Sequence, residues 1–432
     1  MIKKKAYVIG GGPLGLALST KLIEDGYSVI IIEASNKLLG LAGTFNYNDV
    51  DIEYYYHFFY KNDHFNSYNW LKKYSKTNPL IFWKDISTDS VVSGARYDLD
   101  SIFSVIKLSG TKIFTVLFTL VKLIFFNPSK NLDRMSAELW AKKRFGQKFA
   151  SQIWIPLLRQ KFGDRSSDVS ALWLATRIKR HLSTRGKGVG KSKFGYLVKT
   201  YNSFVSKFKK ELISSGGSVY FNQPVTGFSI SNQKISKVIT KSMEFNVGNS
   251  PVFSAIPYAI LKKLFKKDNY VQGLEPFVNM SVVVCLLIAD KKLSDHYWTT
   301  VSDNDHEFAA IIQQNRLYKK TSDEIIYLSR YCEPDNKLFG LSDDKIYKNW
   351  IKSIIKIYPH FSMKNIIDYK IFRSKNAAPL PFINSISQMS KLKSNLENFY
   401  FSGYESIYPE DRGVGNSIKL GYKLFYDFKN NL

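Results

Sequence analysis

The chain has 432 residues, enough for about three folding units of ordinary size. Hydrophobic residues make up 44% and charged residues 23%, and the 15% aromatic share excludes disorder and collagen-like repeats. The 62 lysines and arginines against 36 acidic residues leave a net charge of +26. This surplus favours an anionic partner, although the abundance of lysine, asparagine, isoleucine and tyrosine also offers a purely compositional explanation.

The cysteines and the apolar stretches bear on the location of the protein. Cys285 and Cys332 stand far apart and outside any CxxC pattern, so we expect no disulfide framework and a reducing, cytoplasmic location. The basic N-terminus and the apolar run after it imitate a signal peptide, but no cleavage site follows. The apolar stretch 113–126 contains Lys122 and is shorter than the roughly 20 residues that cross a bilayer, so we predict no transmembrane helix.

The predicted elements begin with a βαβ unit, formed by a strand at 5–9, a helix at 13–25 and a strand at 28–33. From about 95 to 200 the chain is predicted to be mostly helical, because apolar residues recur there with a helical period. Strands then return, and a helix closes the chain. The later strands are predicted at 218–230, 235–240, 251–257, 279–289, 325–331 and 399–402, and the closing helix at about 416–429.

A glycine-rich loop follows the first strand, where Gly10, Gly12 and Gly15 satisfy the pattern G-x-G-x-x-G. The first glycine of this pattern allows a tight turn, the second lets backbone approach a diphosphate, and the third lets helix and strand pack closely. Glu33 ends the second strand 23 positions after Gly10, where a carboxylate can accept hydrogen bonds from ribose hydroxyls and repel a 2′-phosphate. The unit therefore predicts a dinucleotide site and disfavours NADP.

The residues after Glu33 bear on which dinucleotide binds. A second loop of small residues follows it and contains Gly40, Gly43 and Thr44. At this point the sequence resembles the flavin amine oxidase superfamily, which includes protoporphyrinogen oxidases, phytoene-desaturase-type enzymes and UDP-galactopyranose mutases. The resemblance implies that the second loop lies along FAD. Thr44 departs from it, because an arginine often follows the glycine pair in amine oxidases.

The resemblance covers nearly the whole chain and implies further contacts with FAD. The segment 217–225 resembles the superfamily's second FAD-domain segment, in which a valine at the position of Val225 contacts the adenine. The stretches 399–405 and 411–417 resemble its closing motif, where a glycine turn enters a helix beneath the flavin. The FAD-binding residues implied in this way are Gly10, Gly12, Pro13, Leu14, Gly15, Glu33, Ala34, Gly40, Gly43, Thr44, Val225, Gly403, Arg412, Gly413, Val414, Gly415 and Ser417.

The fold class that we expect is α/β, with a Rossmann-like FAD-binding domain assembled from discontinuous segments and an α+β substrate domain that has a helical part. The FAD-binding segments are expected at 1–94, 195–265 and 386–432. A helical domain that faces the substrate or a membrane is expected at 95–194, and the rest of the substrate domain at 266–385. Residues 195–197 resemble the turn that returns the chain from the substrate domain.

Two groups of residues are candidates for contacts with the substrate. The aromatic run 54–60 resembles a stretch that passes the flavin in UDP-galactopyranose mutases, which makes His57 a candidate catalytic residue; an aromatic core strand is the alternative. Arg159, Arg177 and Arg180 belong to a basic region that would meet a phosphate-bearing substrate or anionic lipid, or form a solvated helix face. The other histidines lack metal-ligand spacing, and we expect no metal.

The apolar stretch 102–126 is punctuated by Lys107, Lys112 and Lys122. Such a stretch either packs in the core or lies in a membrane interface. With the positive net charge, it predicts that a cytoplasmic protein makes peripheral contact with an anionic membrane.

Three functional hypotheses arise from these features. The leading one is an FAD-dependent oxidoreductase of the amine oxidase and protoporphyrinogen oxidase type, with hydride transfer from an organic substrate to flavin N5. The alternative is a redox-neutral flavoenzyme, similar to UDP-galactopyranose mutase, that acts on a nucleotide-linked or lipid-linked sugar. A basic nucleic-acid-binding protein is disfavoured, because the sequence contains no recognisable nucleic-acid-reading module.

Overall fold

The computed structural model describes residues 4–60, 64–74, 79–114, 118, 126–184, 191–265, 270–303 and 305–431. The α-helices in these residues are α1 (Pro13–Glu24), α2 (His64–Tyr74), α3 (Ile102–Ser109), α4 (Ala137–Phe145), α5 (Gln147–Phe149), α6 (Ile155–Phe162), α7 (Ala171–Thr184), α8 (Asn202–Ser214), α9 (Tyr258–Leu264), α10 (Gln314–Leu317), α11 (Asp343–Ile357), α12 (Ser385–Met389) and α13 (Val414–Lys429).

The β-strands in the same residues are β1 (Lys5–Ile9), β2 (Ser28–Ile32), β3 (Thr44–Tyr47), β4 (Val50–Glu53), β5 (Ile81–Ile86), β6 (Thr88–Val92), β7 (Ala95–Asp98), β8 (Ser192–Leu197), β9 (Ser218–Tyr220), β10 (Val225–Ser231), β11 (Lys234–Thr240), β12 (Glu244–Asn246), β13 (Val252–Ser254), β14 (Val271–Gln272), β15 (Asn279–Ala289), β16 (Trp298–Val301), β17 (Ala310–Gln313), β18 (Glu324–Cys332), β19 (Ile366–Pro379), β20 (Lys393–Ser394) and β21 (Phe399–Phe401).

A parallel sheet of five described strands, in the order β21-β13-β1-β2-β9, forms the first layer. Apart from the exposed Lys5 and the partly buried Ile30, the residues of β1 and β2 are buried, as a parallel sheet covered on both faces requires. One face packs against α1, α2, α8 and α13, and the other against α9 and the sheet β10-β11-β12. The strands come from separated parts of the sequence, which confirms the predicted Rossmann-like domain of discontinuous segments.

Helices α1 and α13 run parallel and in close contact. Lys429 at the end of α13 pairs with Asp25 just after α1 at 2.9 Å. Nearer the middle, a Cβ built on Gly421 of α13 would lie 2.4 Å from the carbonyl oxygen of Leu14, so only glycine allows this approach. Because α1 follows β1 directly and α13 is parallel to it, both helices begin at the carboxyl edge of the parallel sheet.

A mixed sheet of seven described strands, in the order β19-β15-β18-β17-β16-β6-β7, forms the second layer. All eleven residues of β15 are buried. Its alternate side chains face α11 on one side, where Trp350 is fully buried, and the aromatic run 54–60 on the other. Strands β6 and β7 therefore pair with the strands of the substrate region and not with the Rossmann sheet.

Helices α3 to α7 form the predicted helical part, with Trp140, Phe145 and Trp173 in its core. Gly195, which the resemblance placed in a turn, lies instead within β8 and pairs with Trp83 of β5, so that prediction is wrong. A Cβ on Gly195 would lie 2.9 Å from the Trp83 ring, so glycine is needed here to let the aromatic side chain approach the backbone closely.

In the part of the chain that the structure describes, no helix has the length and apolar character needed to cross a bilayer.

Candidate functional site

The glycine-rich loop lies at the carboxyl end of β1. Gly10 has a φ of +101°, and a Cβ on Gly15 would lie 2.0 Å from the Gly10 carbonyl oxygen, so the backbone itself requires glycine at both positions. A Cβ on Gly12, in contrast, would meet nothing within 4 Å. Gly12 is the N-cap of α1, and no side chain caps this helix. The loop thus presents open space next to free N–H groups, an arrangement that suits a phosphate.

Glu33 lies beside this loop at the carboxyl end of β2, and its side chain is buried. Its Oε2 accepts a hydrogen bond from the N–H of Gly11 at 2.6 Å, and its Oε1 accepts one from the N–H of Ser35 at 2.8 Å. The Ser35 hydroxyl also donates to Oε1 at 2.8 Å. Backbone groups therefore fix the carboxylate at the loop, and Oε2 keeps a lone pair for a further donor.

The second small-residue loop packs directly against the first one. The N–H of Leu39 donates to the carbonyl of Gly11 at 2.8 Å, and a Cβ on Gly40 would lie 3.7 Å from the Cα of Gly12. Ala34, at the entry to this loop, is exposed. The structure therefore brings the two predicted loops together at one edge of the sheet.

The segments near Val225 and Gly403 reach the same edge. The N–H of Gln223, two residues before β10 begins at Val225, donates to the carbonyl of Glu33 at 2.9 Å. Gly403 follows β21, and a Cβ there would lie 3.1 Å from the carbonyl oxygen of Ile256, which follows β13. The carboxyl ends of β2, β9, β13 and β21 thus surround the glycine-rich loop.

The start of α13 repeats the features of α1. Gly413 is its N-cap, no side chain caps it, and a Cβ on Gly413 would meet nothing within 4 Å. Val414, Gly415 and Ser417 form the first turn, and the N–H of Ser417 donates to the carbonyl of Gly413. Because the two helices are parallel, two open N-termini with partial positive charge face the same side of the sheet.

His57 lies between the two sheets, in the aromatic run after β4. Its Nδ1 is buried and has no hydrogen-bond partner in the described part of the chain. Burial, reinforced by the nearby charge of Arg412, lowers the pKa of His57 to about 4. The imidazole is therefore neutral at pH 7. Its buried Nδ1 requires a hydrogen-bond partner, and another group would have to supply it.

Arg412, which directly precedes Gly413, lies in the same region. Its Nη2 donates to the hydroxyl of Tyr331 at 2.9 Å. None of the described carboxylates lies within 4 Å of its guanidinium, and Tyr55, Tyr56 and His57 are close enough to sense its charge. Arg412 is partly buried, and a partly desolvated cation without an anionic partner is stabilised by a negatively charged ligand, which this position therefore suits.

Asp411, the residue before Arg412, forms ion pairs with basic side chains of the helical part. Lys161 Nζ lies 3.1 Å from its Oδ1, Arg177 contacts its Oδ2, and Arg180 Nη2 lies 3.4 Å from the same oxygen. Burial opposes ionisation of Asp411, but these cations lower the pKa of its carboxyl far below the usual range. Two of the predicted substrate residues, Arg177 and Arg180, thus meet at Asp411.

Arg159, the third predicted substrate residue, is exposed on α6 and takes no part in this network.

Glu405 was not predicted from the sequence. Its buried Oε1 accepts a hydrogen bond from the N–H of Tyr258 at 2.9 Å, and its Oε2 has no hydrogen-bond partner among the described residues. Burial raises the pKa of Glu405 to about 7. Its position in the closing motif, six residues before Asp411 and seven before Arg412, is the signal that would have indicated it.

Comparisons with known proteins agree with this architecture. Residues 8–74 match the family described as an NAD(P)-binding Rossmann-like domain. A protein assigned as a protoporphyrinogen oxidase, from Exiguobacterium sp. 255-15, is 13% identical over 100% of both chains, with a TM-score of 0.77. The two chains share one fold over their whole length.

Two further solved structures share this fold. Reduced UDP-galactopyranose mutase is 14% identical over 99% of this chain and 96% of its own, with a TM-score of 0.73. Putrescine oxidase bound to putrescine is 14% identical over 99% of both chains, with a TM-score of 0.71. No curated protein matches the sequence. At these identities the likeness shows the fold alone.

The residues of this site fit FAD in three respects. Open space adjoins the backbone at Gly12 and Gly413, the carboxylate of Glu33 keeps acceptor capacity beside the first loop, and the Nδ1 of His57 is buried without a partner in the described residues. No group of three or more His, Cys, Asp or Glu side chains in those residues is arranged to hold a metal ion. The donor set of the site is thus suited to a dinucleotide.

Proposed function

We propose that this chain is an FAD-dependent oxidoreductase that takes hydride from an organic substrate. The observation that carries the proposal is the pair of open glycine helix starts at Gly12 and Gly413, which face one side of the Rossmann sheet beside Glu33. The first start would hold the diphosphate and Glu33 the ribose. The second would stabilise negative charge on the reduced flavin.

The chain's own residues would position the substrate and set the electrostatics of the reaction. Bound FAD supplies the hydride acceptor. His57 is neutral at pH 7, so it acts as a hydrogen-bonding group and not as a charge. Arg412 contributes a fixed positive charge next to it, and the rings of Tyr56 and Tyr331 help to exclude water. Hydride transfer to flavin needs no separate acid–base pair.

A redox-neutral rearrangement of a nucleotide-linked or lipid-linked sugar is the second candidate function. The observation that favours it is the concentration of Lys161, Arg177 and Arg180 around Asp411, next to Arg412 in the sequence, since a diphosphate would complement these charges. UDP-galactopyranose mutase, which shares the fold, acts on a substrate with such a group.

The two candidates differ in what the substrate does to the flavin. Purified FAD-loaded protein would be mixed without oxygen with putrescine, protoporphyrinogen or UDP-galactopyranose, and the visible flavin band recorded. Loss of the band with an added substrate alone supports the oxidoreductase. Turnover that occurs only after reduction with dithionite supports the mutase, and no response in either experiment contradicts both.

We also propose that the protein contacts an anionic membrane through α3 and the residues just after it. Phe103, Phe114 and Phe118 are 75%, 78% and 60% exposed, and they lie in a segment that also contains Lys107 and Lys112. Exposed aromatic side chains beside lysines are typical of a surface that inserts into a lipid interface. Of the stretch predicted from sequence, residues 115–117 and 119–125 lie outside the described residues.

A further inference from the structure

We infer that Glu53 and Lys320 are positioning residues of this site, because their buried ion pair holds the aromatic run 54–60 and sets the electrostatic environment of His57. The inference rests on the proposed function, in which His57 takes part as a neutral hydrogen-bonding group. It adds two residues that lie outside the glycine-rich loops and outside the ion pairs of Asp411.

Glu53 ends β4 and directly precedes the aromatic run. The side chains of Glu53 and Lys320 are each 6% exposed. The Oε1 of Glu53 accepts a hydrogen bond from the hydroxyl of Tyr196 at 2.5 Å, and its Oε2 lies 3.5 Å from Lys320 Nζ. The hydroxyl of Tyr327 donates to the backbone carbonyl of Glu53 at 2.9 Å. Glu53 therefore joins β4 to both β8 and β18.

Lys320 lies in the segment between α10 and β18, and three groups surround its ammonium. Nζ donates to the carbonyl of Asp51 at 2.8 Å, faces the carboxylate of Glu53, and lies 4.9 Å from the centre of the Tyr196 ring. Burial lowers the pKa of Lys320, and Glu53 and Asp51 oppose that effect. An ammonium removed from water without a partner is costly, so Glu53 stabilises the charged form of Lys320 in the interior.

The aromatic run is tied to β8 at both ends. At its start, the carboxylate of Glu53 binds the hydroxyl of Tyr196. At its other end, the N–H of Phe59 donates to the carbonyl of Gly195 at 2.8 Å, and the N–H of Gly195 donates to the carbonyl of Phe59 at 2.9 Å. Gly195 and Tyr196 are neighbours in β8, so one strand fixes the two ends, and His57 lies between them.

The charge of Lys320 also reaches His57. Burial is the main cause of the low pKa of His57; the charges of Arg412 and Lys320 lower it further, and a backbone hydrogen bond at Tyr55 opposes them. In the intact pair, the carboxylate of Glu53 balances the charge of Lys320. Removal of one member should therefore change the electrostatic potential at His57, with a sign that depends on which member is removed.

The experiment compares the FAD-loaded variants Lys320→Met, Glu53→Gln, the double variant with both changes, and Lys320→Arg. Arg316→Met is the matched control, because it breaks another ion pair of the same part of the chain, with Glu324 at 2.7 Å. The FAD absorption and the melting temperature are recorded first. Protonation of His57 is then followed by NMR with isotope-labelled histidine between about pH 4 and about pH 7, and the signal is assigned by its loss in His57→Gln.

We expect Lys320→Met to raise the proton affinity of His57 about tenfold, because the uncompensated carboxylate of Glu53 then favours the imidazolium. Glu53→Gln should leave the imidazole neutral over the whole range, since it removes the negative charge and keeps Lys320. The double variant, Lys320→Arg and Arg316→Met should titrate like the unaltered protein.

A higher proton affinity of His57 in both Lys320→Met and Glu53→Gln would show that each change merely loosens the run and admits water, and it would overturn the inference. An unchanged affinity in Lys320→Met overturns it as well. If a single variant does not fold, the double variant decides, because it leaves no buried charge unpaired: titration like the unaltered protein supports the inference, and a raised affinity overturns it. Protein that contains no FAD contradicts the proposed function instead, and the titration of His57 in that protein still tests the ion pair.

Discussion

Gly12 differs from the other two glycines of its motif in the reason for its presence. Gly10 and Gly15 are required by the backbone, through a positive φ and a close carbonyl oxygen. Gly12 has a φ of −73°, which any residue adopts, and its surroundings are open. Folding alone therefore does not explain this glycine, whereas a ligand that occupies the open space does.

Gly12→Val should consequently leave the fold nearly intact and abolish retention of FAD, because the branched side chain fills the space beside the helix start. The ratio of FAD to protein after gel filtration, together with the melting temperature, measures both effects. Gly15→Val is the matched control, and it should lower the melting temperature sharply because its Cβ overlaps the Gly10 carbonyl oxygen. A folded Gly12→Val protein with one FAD per chain would show that the site is misplaced.

Replacement of Glu33 tests the ribose contact. Glu33→Ala should weaken FAD binding by about 1.5–3 kcal/mol, the range of charge-assisted hydrogen bonds. It also removes the partner of the Gly11 N–H, so Glu33→Gln, which keeps one acceptor oxygen, is the better-controlled variant. Apo-protein titrated with FAD gives the dissociation constants. Equal affinity for FAD in Glu33→Gln and the unaltered protein would mean that the Glu33 carboxylate stabilises the glycine-rich loop and does not bind the ribose.

The sequence was sufficient to predict the site positions of residues whose partners are close along the chain. Gly10, Gly15 and Glu33 lie in one βαβ unit, so their spacing alone predicts their positions. Lys161 and Asp411 are 250 positions apart, and their contact depends on how the helical part packs against the loop before α13. No local pattern encodes that packing, and for this reason the ion-pair network and the buried Glu405 were not predicted.

At the scale of elements, the parallel contact of α1 and α13 creates the site. The sequence predicts both helices, but their closeness depends on Gly421, where any side chain would strike the Leu14 carbonyl. This contact brings two helix starts, encoded about 400 residues apart, to one edge of the sheet. Two N-termini that face the same side attract anionic groups more strongly than one.

The exposed segment at α3 leads to a prediction about membranes. The protein should sediment with anionic liposomes at low salt and be released at high salt, because the Debye length shrinks from about 10 Å at 0.1 M to about 3 Å at 1 M. Each lysine near the lipid surface contributes about 1 kcal/mol. Changing Phe103 and Phe114 to serine should reduce binding further, whereas Tyr426→Ser on α13, also exposed, is the control.

Protein that stays in the supernatant with anionic liposomes at low salt would contradict this role of α3. Equal binding to neutral liposomes would contradict the electrostatic part of it. In either case the net positive charge would reflect the amino-acid composition and not a role in binding membranes.

In the molecule as a whole, three structural units contribute to one partly buried polar region. The loop before α13 supplies Asp411 and Arg412, the helical part supplies Lys161 and Arg177, and β18 of the seven-stranded sheet supplies Tyr331. The predicted fold class is confirmed at this scale. These contacts join residues that lie far apart along the chain, so the sequence alone does not predict them.

Whether this fold holds FAD is tested by the cofactor content of the purified protein. We expect a yellow protein with a flavin absorption spectrum that releases FAD, close to one per chain, on denaturation. The released compound would be identified by chromatography against FAD, FMN and NAD standards. Protein that is colourless, and that remains so after incubation with excess FAD and gel filtration, would contradict the account.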